Sequence, residues 1–566
     1  MTTAAPTKIV SAAEMRNLEA AAVAAGTTTW RGLMERAARG VADVALEMLG
    51  AAPAPVLVLV GPGNNGGDAL VVATHLHAAG HAVTLHIWKR TPTAHDWPWQ
   101  QAVRQRLPMV MAERDRGQHA LRALVADARL VVDGWLGSGV DRPLPPDLAA
   151  LVAVVNARRA ALVLAIDLPT GINADTGAAA GAAVCADVTV ATGLWKRGHF
   201  QGAAQRAVGR LMLTTLDLEQ GLDTIMADKL STQAMRALLP ARPADANKGT
   251  FGKVMVVGGS GQYPGAVFLA ASGALRSGVG LVRVAVGRSI IGPLAASLHE
   301  TPFLPLPEED WGVLGPAAAQ EVREHLAGYG ALIIGPGLGS EEETHTFVRR
   351  LLGLETAKPH GVGFIKTLPN AAQRNNTNSV GFIRIASTAA AAPPSGEPTL
   401  PALLLDADAL NILAATDDWH THLAPGTVVL TPHPGEMARL LKLEGAAQIN
   451  EDRVSHAQTA AAQWQQIVVL KGANTVIAHP DGRVAVGPEG NAALAVAGTG
   501  DVLSGLIGGL LAQGMEPWPA AQLGVWLHAA AGGKVRDELG DTGVTAGDLI
   551  ARLPLVFREL RDRHDR

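Results

Sequence analysis

Short hydrophobic runs alternate along the chain with longer Ala-rich stretches of helical periodicity, such as residues 67–79. In the first part of the chain, runs rich in β-branched residues lie at 56–60, 83–87, 130–133, 162–166 and 188–191. Short apolar strands joined by helices are typical of a parallel sheet that is covered on both faces. The pattern therefore predicts a three-layer α/β domain.

The same pattern starts again after residue 229. Its strand-like runs lie at 254–257, 281–286, 331–334, 402–405, 427–430 and 467–470, and helical stretches follow near 501–513 and 519–533. We therefore expect an α/β protein with two three-layer αβα domains, one spanning residues 1–225 and one spanning residues 229–566. Ser231 is expected to cap the first helix of the second domain.

Residues 356–399 contain Asn, Pro, Ser and Ala in no clear period. A loop of this length inside a compact domain is usually functional or disordered. We interpret the segment as a mobile surface insertion, and an active-site lid is the alternative.

Composition narrows the class of protein. The 566 residues are too many for one hydrophobic core, and a net charge of −4 argues against broad electrostatic binding of nucleic acid. The N-terminus has no secretory signal and no apolar run is a convincing membrane span, so we expect a cytoplasmic location. The single cysteine, Cys185, excludes an intrachain disulfide, and its strand-like surroundings predict a buried thiol.

The strand at 56–60 runs into the Gly-rich turn GPGNNGGD and then a helix. Glycines let the backbone approach a ligand closely, and the first amides of a helix bind anions. A nucleotide pyrophosphate is the ligand that such a turn favours.

Two further strand ends are polar, with Asp133 in one and Asp167 and Thr170 after the next. The carboxyl ends of strands in an open parallel sheet line one crevice. Asn65, Asp133 and Thr170 would then offer oxygen ligands to an alkali or alkaline-earth ion. The alternative is that these side chains only cap turns and helices.

The segments GPGNNGGD, DGWLGSG and DLPTGINADTG resemble the signature segments of the NAD(P)H-hydrate epimerase family over about residues 10–220. The resemblance implies a Rossmann-like domain that interconverts the R and S forms of hydrated NADH and NADPH. It implies potassium binding by Asn65, Asp133 and Thr170. We expect Asp167 to be the acid/base, and Asp68 is the alternative. Two positions differ from the family, since Thr170 replaces a Ser and Ala69 replaces a Gly. The hydrate contacts that the resemblance implies are Asn64, Asn65, Gly66, Gly67, Asp68, Gly137, Ser138, Gly139, Val140, Asp141, Arg142, Pro143 and Asp167.

In the second domain, the phrase AVAGTGDVLSG places Gly498 and Gly500 before a helix expected to start at Asp501. Backbone amides and the helix dipole make an anion site there. A carboxylate beside it can take a proton from an attacking hydroxyl while the amides hold the phosphoryl charge. The alternative is an Asp that only stabilises the helix N-terminus.

Other strand ends of the second domain are also polar. The segment KGANT, residues 471–475, can bind an adenylate phosphate and ribose. Asp406 and Asp408 lie where a magnesium–phosphate complex or the substrate could approach, and His433 precedes a further helix.

Seven motifs in order, KGTFGKV, GSGQYPGA, GPGLG, DADALN, TPHPGEM, KGANT and AGTGDVLSG, resemble the ADP- or ATP-dependent NAD(P)H-hydrate dehydratase family of the ribokinase-like superfamily. The resemblance covers residues 231–555 apart from the insertion, and it implies magnesium bound with ADP or ATP. The hydrate contacts that it implies are Ala266, Gly337, His433 and Asp501. The nucleotide contacts that it implies are Lys471, Gly472, Ala473, Asn474, Thr475 and Gly500.

Together the two resemblances imply a fused repair enzyme that epimerises hydrated NAD(P)H and dehydrates its S form at the expense of ADP or ATP. We expect a homo-oligomer that binds neither nucleic acid nor membranes. A ribokinase-like small-molecule kinase with an N-terminal nucleotide-binding regulatory domain is the alternative. A non-catalytic first domain is a further one.

Overall fold

The computed structural model describes residues 7–179, 181–355 and 400–562. It contains two large β-sheets, each with apolar side chains packed under helices on both faces. The predicted α/β class with two layered units is confirmed. The predicted insertion at 356–399 lies outside the described residues.

Seven strands of the first part of the chain form an all-parallel sheet in the order β4-β3-β2-β5-β6-β7-β9. The strands up to residue 229 are β1 (Lys8–Val10), β2 (Pro55–Val60), β3 (Ala82–Ile87), β4 (Met109–Met111), β5 (Leu130–Gly134), β6 (Leu162–Ile166), β7 (Val188–Thr192), β8 (Trp195–Lys196), β9 (Arg210–Thr214) and β10 (Ala227–Lys229). The helices are α1 (Ala12–Ala24), α2 (Trp30–Leu49), α3 (Asn64–Ala78), α4 (Trp97–Arg104), α5 (His119–Asp127), α6 (Pro146–Asn156), α7 (Ala204–Ala207) and α8 (Thr232–Ala237).

Strand β2, inside the sheet, is apolar because both of its faces are buried. Val58 packs in one hydrophobic core and Leu57 and Leu59 pack in another, on opposite faces of the sheet. Successive side chains of a strand point to opposite faces, so a strand covered on both sides needs no polar positions. The parallel sheet predicted from the continuous apolar runs follows from this packing.

The second sheet has twelve strands in the order β13-β12-β11-β16-β17-β18-β19-β20-β21-β10-β1-β8. Its further strands are β11 (Lys253–Val257), β12 (Leu281–Gly287), β13 (Phe303–Leu306), β16 (Ala331–Ile334), β17 (Ala402–Leu405), β18 (Val428–Leu430), β19 (Ile467–Leu470), β20 (Val476–Ala478) and β21 (Val484–Val486), and a separate hairpin is formed by β14 (Glu308–Asp310) and β15 (Val313–Leu314). The helices are α9 (Pro264–Arg276), α10 (Ile291–Ala295), α11 (Pro316–Glu324), α12 (Glu342–Leu351), α13 (Asp408–Ala414), α14 (Pro434–Leu440), α15 (Ala446–Glu451), α16 (Arg453–Trp464), α17 (Thr499–Ala512), α18 (Pro517–Leu539) and α19 (Ala546–Asp562).

The second sheet is completed by strands from the beginning of the chain. β10 pairs in parallel with β21, β1 pairs antiparallel with β10, and β8 pairs in parallel with β1. Two strands that precede residue 225 therefore belong to the sheet of the second part. The hydrogen bonds of this sheet fix the first part of the chain against the second.

Two local predictions have clear outcomes. Ser231 caps α8 as predicted, because its hydroxyl accepts a hydrogen bond from the amide of Ala234 at 3.2 Å. The prediction of a buried Cys185 is wrong, since this residue is exposed. It precedes β7 in an irregular segment where its neighbours Val184 and Ala186 point inward, which turns the cysteine outward.

No helix among the described residues combines the length and the apolar composition that a bilayer span requires.

Candidate active sites

Polar residues meet at the carboxyl ends of three adjacent strands in the seven-stranded sheet. β2 leads into α3, whose first turn contains Asn65, while β5 contains Asp133. Asp167 and Thr170 follow β6. Because β2, β5 and β6 are neighbours and parallel, their ends lie at one edge. The structure thus brings together the strand ends that the sequence predicts to form one crevice.

A network of oxygen atoms occupies this crevice. The Thr170 hydroxyl donates to Oδ1 of Asp133 at 2.7 Å, and the Thr170 amide donates to Oδ2 at 2.8 Å. The amide of Leu136 donates to the Thr170 hydroxyl at 2.9 Å, and Nδ2 of Asn65 donates to the Leu136 carbonyl at 3.0 Å. The three residues predicted to bind a cation therefore share one hydrogen-bonded cluster.

The donor set of this cluster fits a hard cation. It offers amide, hydroxyl, carbonyl and carboxylate oxygens, which suit alkali and alkaline-earth ions. Burial raises the pKa of Asp133 to about 6, although hydrogen bonds from Thr170 oppose the rise, and a bound cation would favour the ionised form. The described part of the chain holds no group of three or more His, Cys, Asp or Glu side chains arranged to bind a metal.

Asp167 lies in a strained backbone conformation at the end of β6, with φ at 64°. Oδ1 accepts hydrogen bonds from the amide and hydroxyl of Thr192, both at 3.1 Å, and from Nζ of Lys196 at 2.5 Å. Burial opposes ionisation of Asp167, but the charges of Lys196 and His199 and the hydrogen bonds from Lys196 and Thr192 together outweigh burial and lower the pKa of Asp167. Asp167 is therefore a buried carboxylate paired with a lysine.

Lys196 is a functional candidate that the sequence interpretation missed. Its side chain is 2% exposed and also donates to the Thr192 carbonyl at 2.6 Å. No local sequence motif surrounds this lysine. Its position shortly after β7 was the one feature of the sequence that could have indicated a role at the strand ends. A buried lysine commonly has a partner of opposite charge, which here is Asp167.

Two further carboxylates flank this ion pair. Burial raises the pKa of Asp68 well above its ordinary value, and the charges of Asp167 and Glu19 raise it further. Burial also raises the pKa of Glu19, although Lys196 opposes the rise. The crevice thus holds a carboxyl group that favours its protonated form, Asp68, beside an ionised one, Asp167.

The Gly-rich turn leading into α3 needs some of its glycines for steric reasons. A Cβ atom on Gly66 would lie 2.0 Å from the Gly61 carbonyl oxygen. Ala69, where the family usually has Gly, fits without strain because it lies inside α3, and its methyl group packs against Gly134.

The loop over residues 137–143 follows β5. Gly137 lies against the Asn65 side chain, and the Val140 carbonyl accepts a hydrogen bond from Nδ2 of Asn173 at 2.8 Å. Residues 141–143 are exposed, so their predicted contact with substrate stays a prediction.

In the second part of the chain, α17 begins at Thr499, two residues earlier than expected, after Gly498 with φ at 90°. Asp501 lies in the first turn of this helix. Burial raises its pKa to about 7, and the charge of Asp406 adds to the rise while Lys471 opposes it. A half-buried carboxylate with this pKa suits proton transfer near neutral pH.

A buried ion pair lies beside Asp501. Nζ of Lys471 contacts Oδ1 of Asp406 at 2.6 Å, and the hydroxyl of Ser504 donates to Oδ2 of Asp406 at 2.6 Å. Burial opposes the charge on Lys471, but the charges of Asp406, Glu436 and Asp501 and the hydrogen bond to Asp406 together outweigh burial and raise the pKa of Lys471. The lysine is therefore held charged and in place next to the helix N-terminus.

His433 caps α14. Its Nδ1 accepts a hydrogen bond from the Gly435 amide at 3.0 Å, and its own amide donates to Oε2 of Glu436 at 2.7 Å. Burial and the neighbouring Lys471 lower the pKa of His433. The imidazole is therefore neutral near pH 7, with one ring nitrogen occupied by the cap.

A cavity of about 620 Å³ lies against these groups. Its wall includes every residue predicted to bind the nucleotide, namely Lys471, Gly472, Ala473, Asn474, Thr475 and Gly500. A volume of this size suits a ligand of nucleotide dimensions.

The residues predicted to contact the hydrate lie outside the wall of this cavity. Gly337, with φ at 68°, approaches Ala266 so closely that a Cβ on Gly337 would lie 2.9 Å from the Ala266 methyl group. His433 and Asp501 also lie outside it, and Asp501 directly follows the wall residue Gly500. The two predicted sets of residues therefore occupy different places around the start of α17.

Comparison with known proteins matches both parts of the chain. A family model described as "YjeF-related protein N-terminus" matches residues 31–198, and one described as "NAD(P)H-hydrate dehydratase" matches residues 254–359 and 389–555. The chain is 37% identical to the "Bifunctional NAD(P)H-hydrate repair enzyme Nnr" of Moorella thermoacetica, covering 98% of this chain and 97% of the relative. Identity to the protein of the same description from Gloeobacter violaceus is also 37%, covering 93% and 92%.

A solved structure with likeness to the second part is the ADP/ATP-dependent NAD(P)H-hydrate dehydratase from Bacillus subtilis, co-crystallised with ATP and Mg²⁺. It is 28% identical with a TM-score of 0.44, and the match covers 59% of this chain and 98% of that one.

Proposed function

The chain belongs to the family of bifunctional NAD(P)H-hydrate repair enzymes, and we propose which of its residues perform the two reactions. Its first part epimerises the R and S forms of hydrated NADH and NADPH. Its second part dehydrates the S form at the expense of ADP or ATP. Family membership disfavours the two alternatives, a ribokinase-like kinase and a non-catalytic first domain.

The chemistry of dehydration requires activation of a hydroxyl group. Hydroxide is a poor leaving group, so the C6 hydroxyl of the hydrate first attacks the terminal phosphoryl group of the nucleotide. The resulting phosphate ester then eliminates inorganic phosphate with loss of the C5 proton, which restores the C5–C6 double bond. ATP leaves this sequence as ADP, and ADP leaves it as AMP.

The position of Asp501 is the observation that carries this proposal. The residue stands in the first turn of α17, directly after Gly500 in the cavity wall. There it accepts the proton of the attacking C6 hydroxyl, while the amides at the helix start and the helix dipole stabilise the transferring phosphoryl group. Lys471, held by Asp406, adds a positive charge beside the same phosphates.

Magnesium would enter this site as part of the nucleotide complex. Asp406 is occupied by Lys471 and Ser504, and Oδ2 of Asp408 accepts the Gly339 amide at 3.0 Å. Both carboxylates already have hydrogen-bond partners in the protein. They therefore suit Mg²⁺, which usually keeps several of its waters and is bound largely through substrate phosphates. When bound, Mg²⁺ would neutralise charge on those phosphates.

Epimerisation uses the carboxylates of the N-terminal crevice. Inverting C6 requires a group that exchanges a proton with the C6 oxygen. Asp167 is our acid/base: its pairing with Lys196 at 2.5 Å keeps it ionised, so it first accepts the proton of the C6 hydroxyl and later returns it. The pKa of Asp68 is raised and that of Asp167 is lowered, and such a pair of carboxyl groups is typical of an acid and a base. Asp68 is therefore the competing candidate for the group that donates the proton.

Asn65, Asp133 and Thr170 are our potassium ligands. The buried oxygen cluster that joins them supports this assignment. Bound potassium would supply a fixed positive charge in the crevice. A cytoplasmic location and a homo-oligomeric state remain predictions from the sequence.

Product analysis tests the proposed function. The parent protein is incubated with pure S hydrate and ATP, and NADH, inorganic phosphate and phosphorylated nicotinamide nucleotide are each measured. We expect one inorganic phosphate per NADH formed. A stable phosphorylated hydrate would support the kinase alternative instead.

A further inference from the structure

The cavity at the start of α17 is enclosed by both parts of the chain. Besides the KGANT segment, its wall includes residues of the N-terminal part: His199, Gln205, Val208, Gly209 and Leu211. These residues, here called the N-terminal wall, lie between β8 and β9 except Leu211, which lies in β9, and they belong to no motif in the sequence. A nucleotide bound in the cavity therefore meets side chains from the first part of the chain.

Hydrogen bonds hold the N-terminal wall in place. Nδ2 of Asn474 donates to the Phe200 carbonyl at 3.0 Å, and the Val454 amide donates to Oε1 of Gln201 at 3.0 Å. Nε2 of Gln205 donates to the same Phe200 carbonyl at 3.1 Å, which orients the Gln205 side chain. The pairing of β10 with β21 fixes the same contact through the backbone. The wall is thus a built part of the cavity.

The cavity is chemically uneven. Lys471 and the amide of Gly500 lie on the side of α17 and suit phosphate groups. The N-terminal wall presents an amide, a glycine and two aliphatic side chains, and burial lowers the pKa of His199 to about 4, which leaves it neutral. An uncharged wall suits the base and ribose of a nucleotide.

We propose that the N-terminal wall completes the adenosine subsite of the dehydratase, with Gln205 as a residue that determines nucleotide affinity. This inference rests on the proposed function, because it assumes that ADP or ATP occupies the cavity. It means that the N-terminal part contributes to dehydration through nucleotide binding as well as supplying the S epimer.

The test is Gln205→Trp, which adds bulk to the wall at an exposed position, with Arg206→Trp as the matched control. Arg206 is the exposed neighbour and does not line the cavity. Binding of ADP and of inorganic pyrophosphate, each with Mg²⁺, is measured by calorimetry on the full chain, and the KM values for nucleotide and S hydrate are compared. Gln205→Phe is a smaller second variant, and R-to-S epimerisation reports that each variant is folded.

We expect Gln205→Trp to weaken ADP binding and to raise the nucleotide KM by roughly tenfold or more, with a smaller change in the same direction for Gln205→Phe. Pyrophosphate binding, the hydrate KM and epimerisation should not change, and Arg206→Trp should behave as the parent. Unchanged ADP binding in folded Gln205→Trp and Gln205→Phe would overturn the proposal, as would equal loss of ADP and pyrophosphate. If the parent binds ADP but does not dehydrate S hydrate, the proposed function fails. The binding test still decides whether the N-terminal wall contributes to nucleotide binding.

Discussion

Replacing Asp501 by Asn should remove the proton acceptor of the dehydratase while preserving the shape of the site. The change keeps the size of the side chain and the start of α17. Loss of a general base typically lowers the rate by about 100- to 10,000-fold. Nucleotide binding should remain nearly intact, because the cavity wall uses residues 471–475 and Gly500.

The structure also predicts the pH dependence of the parent. The pKa of Asp501 is raised to about 7, mainly by burial, and only the deprotonated carboxylate accepts a proton. Catalytic efficiency for S hydrate should therefore fall as the pH drops below 7. At pH 6 the active form is roughly a tenth of the total, which predicts about a tenfold lower kcat/KM than on the alkaline plateau.

The assay follows NADH formation from pure S hydrate at saturating Mg²⁺ and ATP, over a series of buffers from about pH 5.5 to about pH 9. Asp501→Asn should lose both the rate and this titration, while its Kd for ADP stays close to that of the parent. Near-normal turnover by the mutant, or a parent profile without an inflection near pH 7, would refute the role of Asp501 as the base.

Three further predictions concern the N-terminal part. Asp133→Ala should weaken epimerisation and its potassium dependence without affecting dehydration of pure S hydrate, and an epimerisation rate insensitive to potassium in the parent would exclude the metal assignment. On pure R hydrate, Asp167→Asn and Lys196→Met should each lower the epimerisation rate by about 100-fold or more, and if Asp167→Asn keeps its activity while Asp68→Asn loses it, the roles of the two carboxyl groups are exchanged. Burial lowers the pKa of His86 from 6.5 to about 4, so the unfolded chain binds more protons between these values, and the free energy of unfolding should fall by about 2 kcal/mol from pH 7 to pH 5. Urea unfolding of His86→Phe at both pH values should show this loss reduced by about that amount, and an unchanged loss would rule out His86 as its source.

Local pattern was enough to predict the sheets. The run at 331–334 is apolar throughout, and β16 spans the same four residues because both faces of the sheet are buried. The strand ends carrying Asp133 and Thr170 were likewise predictable, since parallel neighbours place their carboxyl ends at one edge.

Contacts between distant segments were not predictable in this way. β1 and β8 are only three and two residues long, and their pairing with each other and with β10 depends on tertiary packing. For the same reason neither Lys196, the partner of Asp167, nor Gln205, in the N-terminal wall, could be assigned from spacing. Cys185 was misplaced because the apolar run around it is an irregular segment with alternating inward neighbours.

The shared sheet also affects how the two reactions are separated experimentally. A cut near residue 225 would remove β1 and β8 from the twelve-stranded sheet. Point variants of the full chain are therefore the sound way to isolate each activity.

The most direct test of the two-reaction account starts from pure R hydrate with ATP, Mg²⁺ and potassium, and follows R hydrate, S hydrate, NADH and phosphate together. We expect the parent to convert all R hydrate to NADH with one phosphate released per NADH, and we expect Asp501→Asn to stop at a mixture of R and S hydrate. Failure of the parent to consume R hydrate while it dehydrates S hydrate, or accumulation of a stable phosphorylated hydrate, would contradict it.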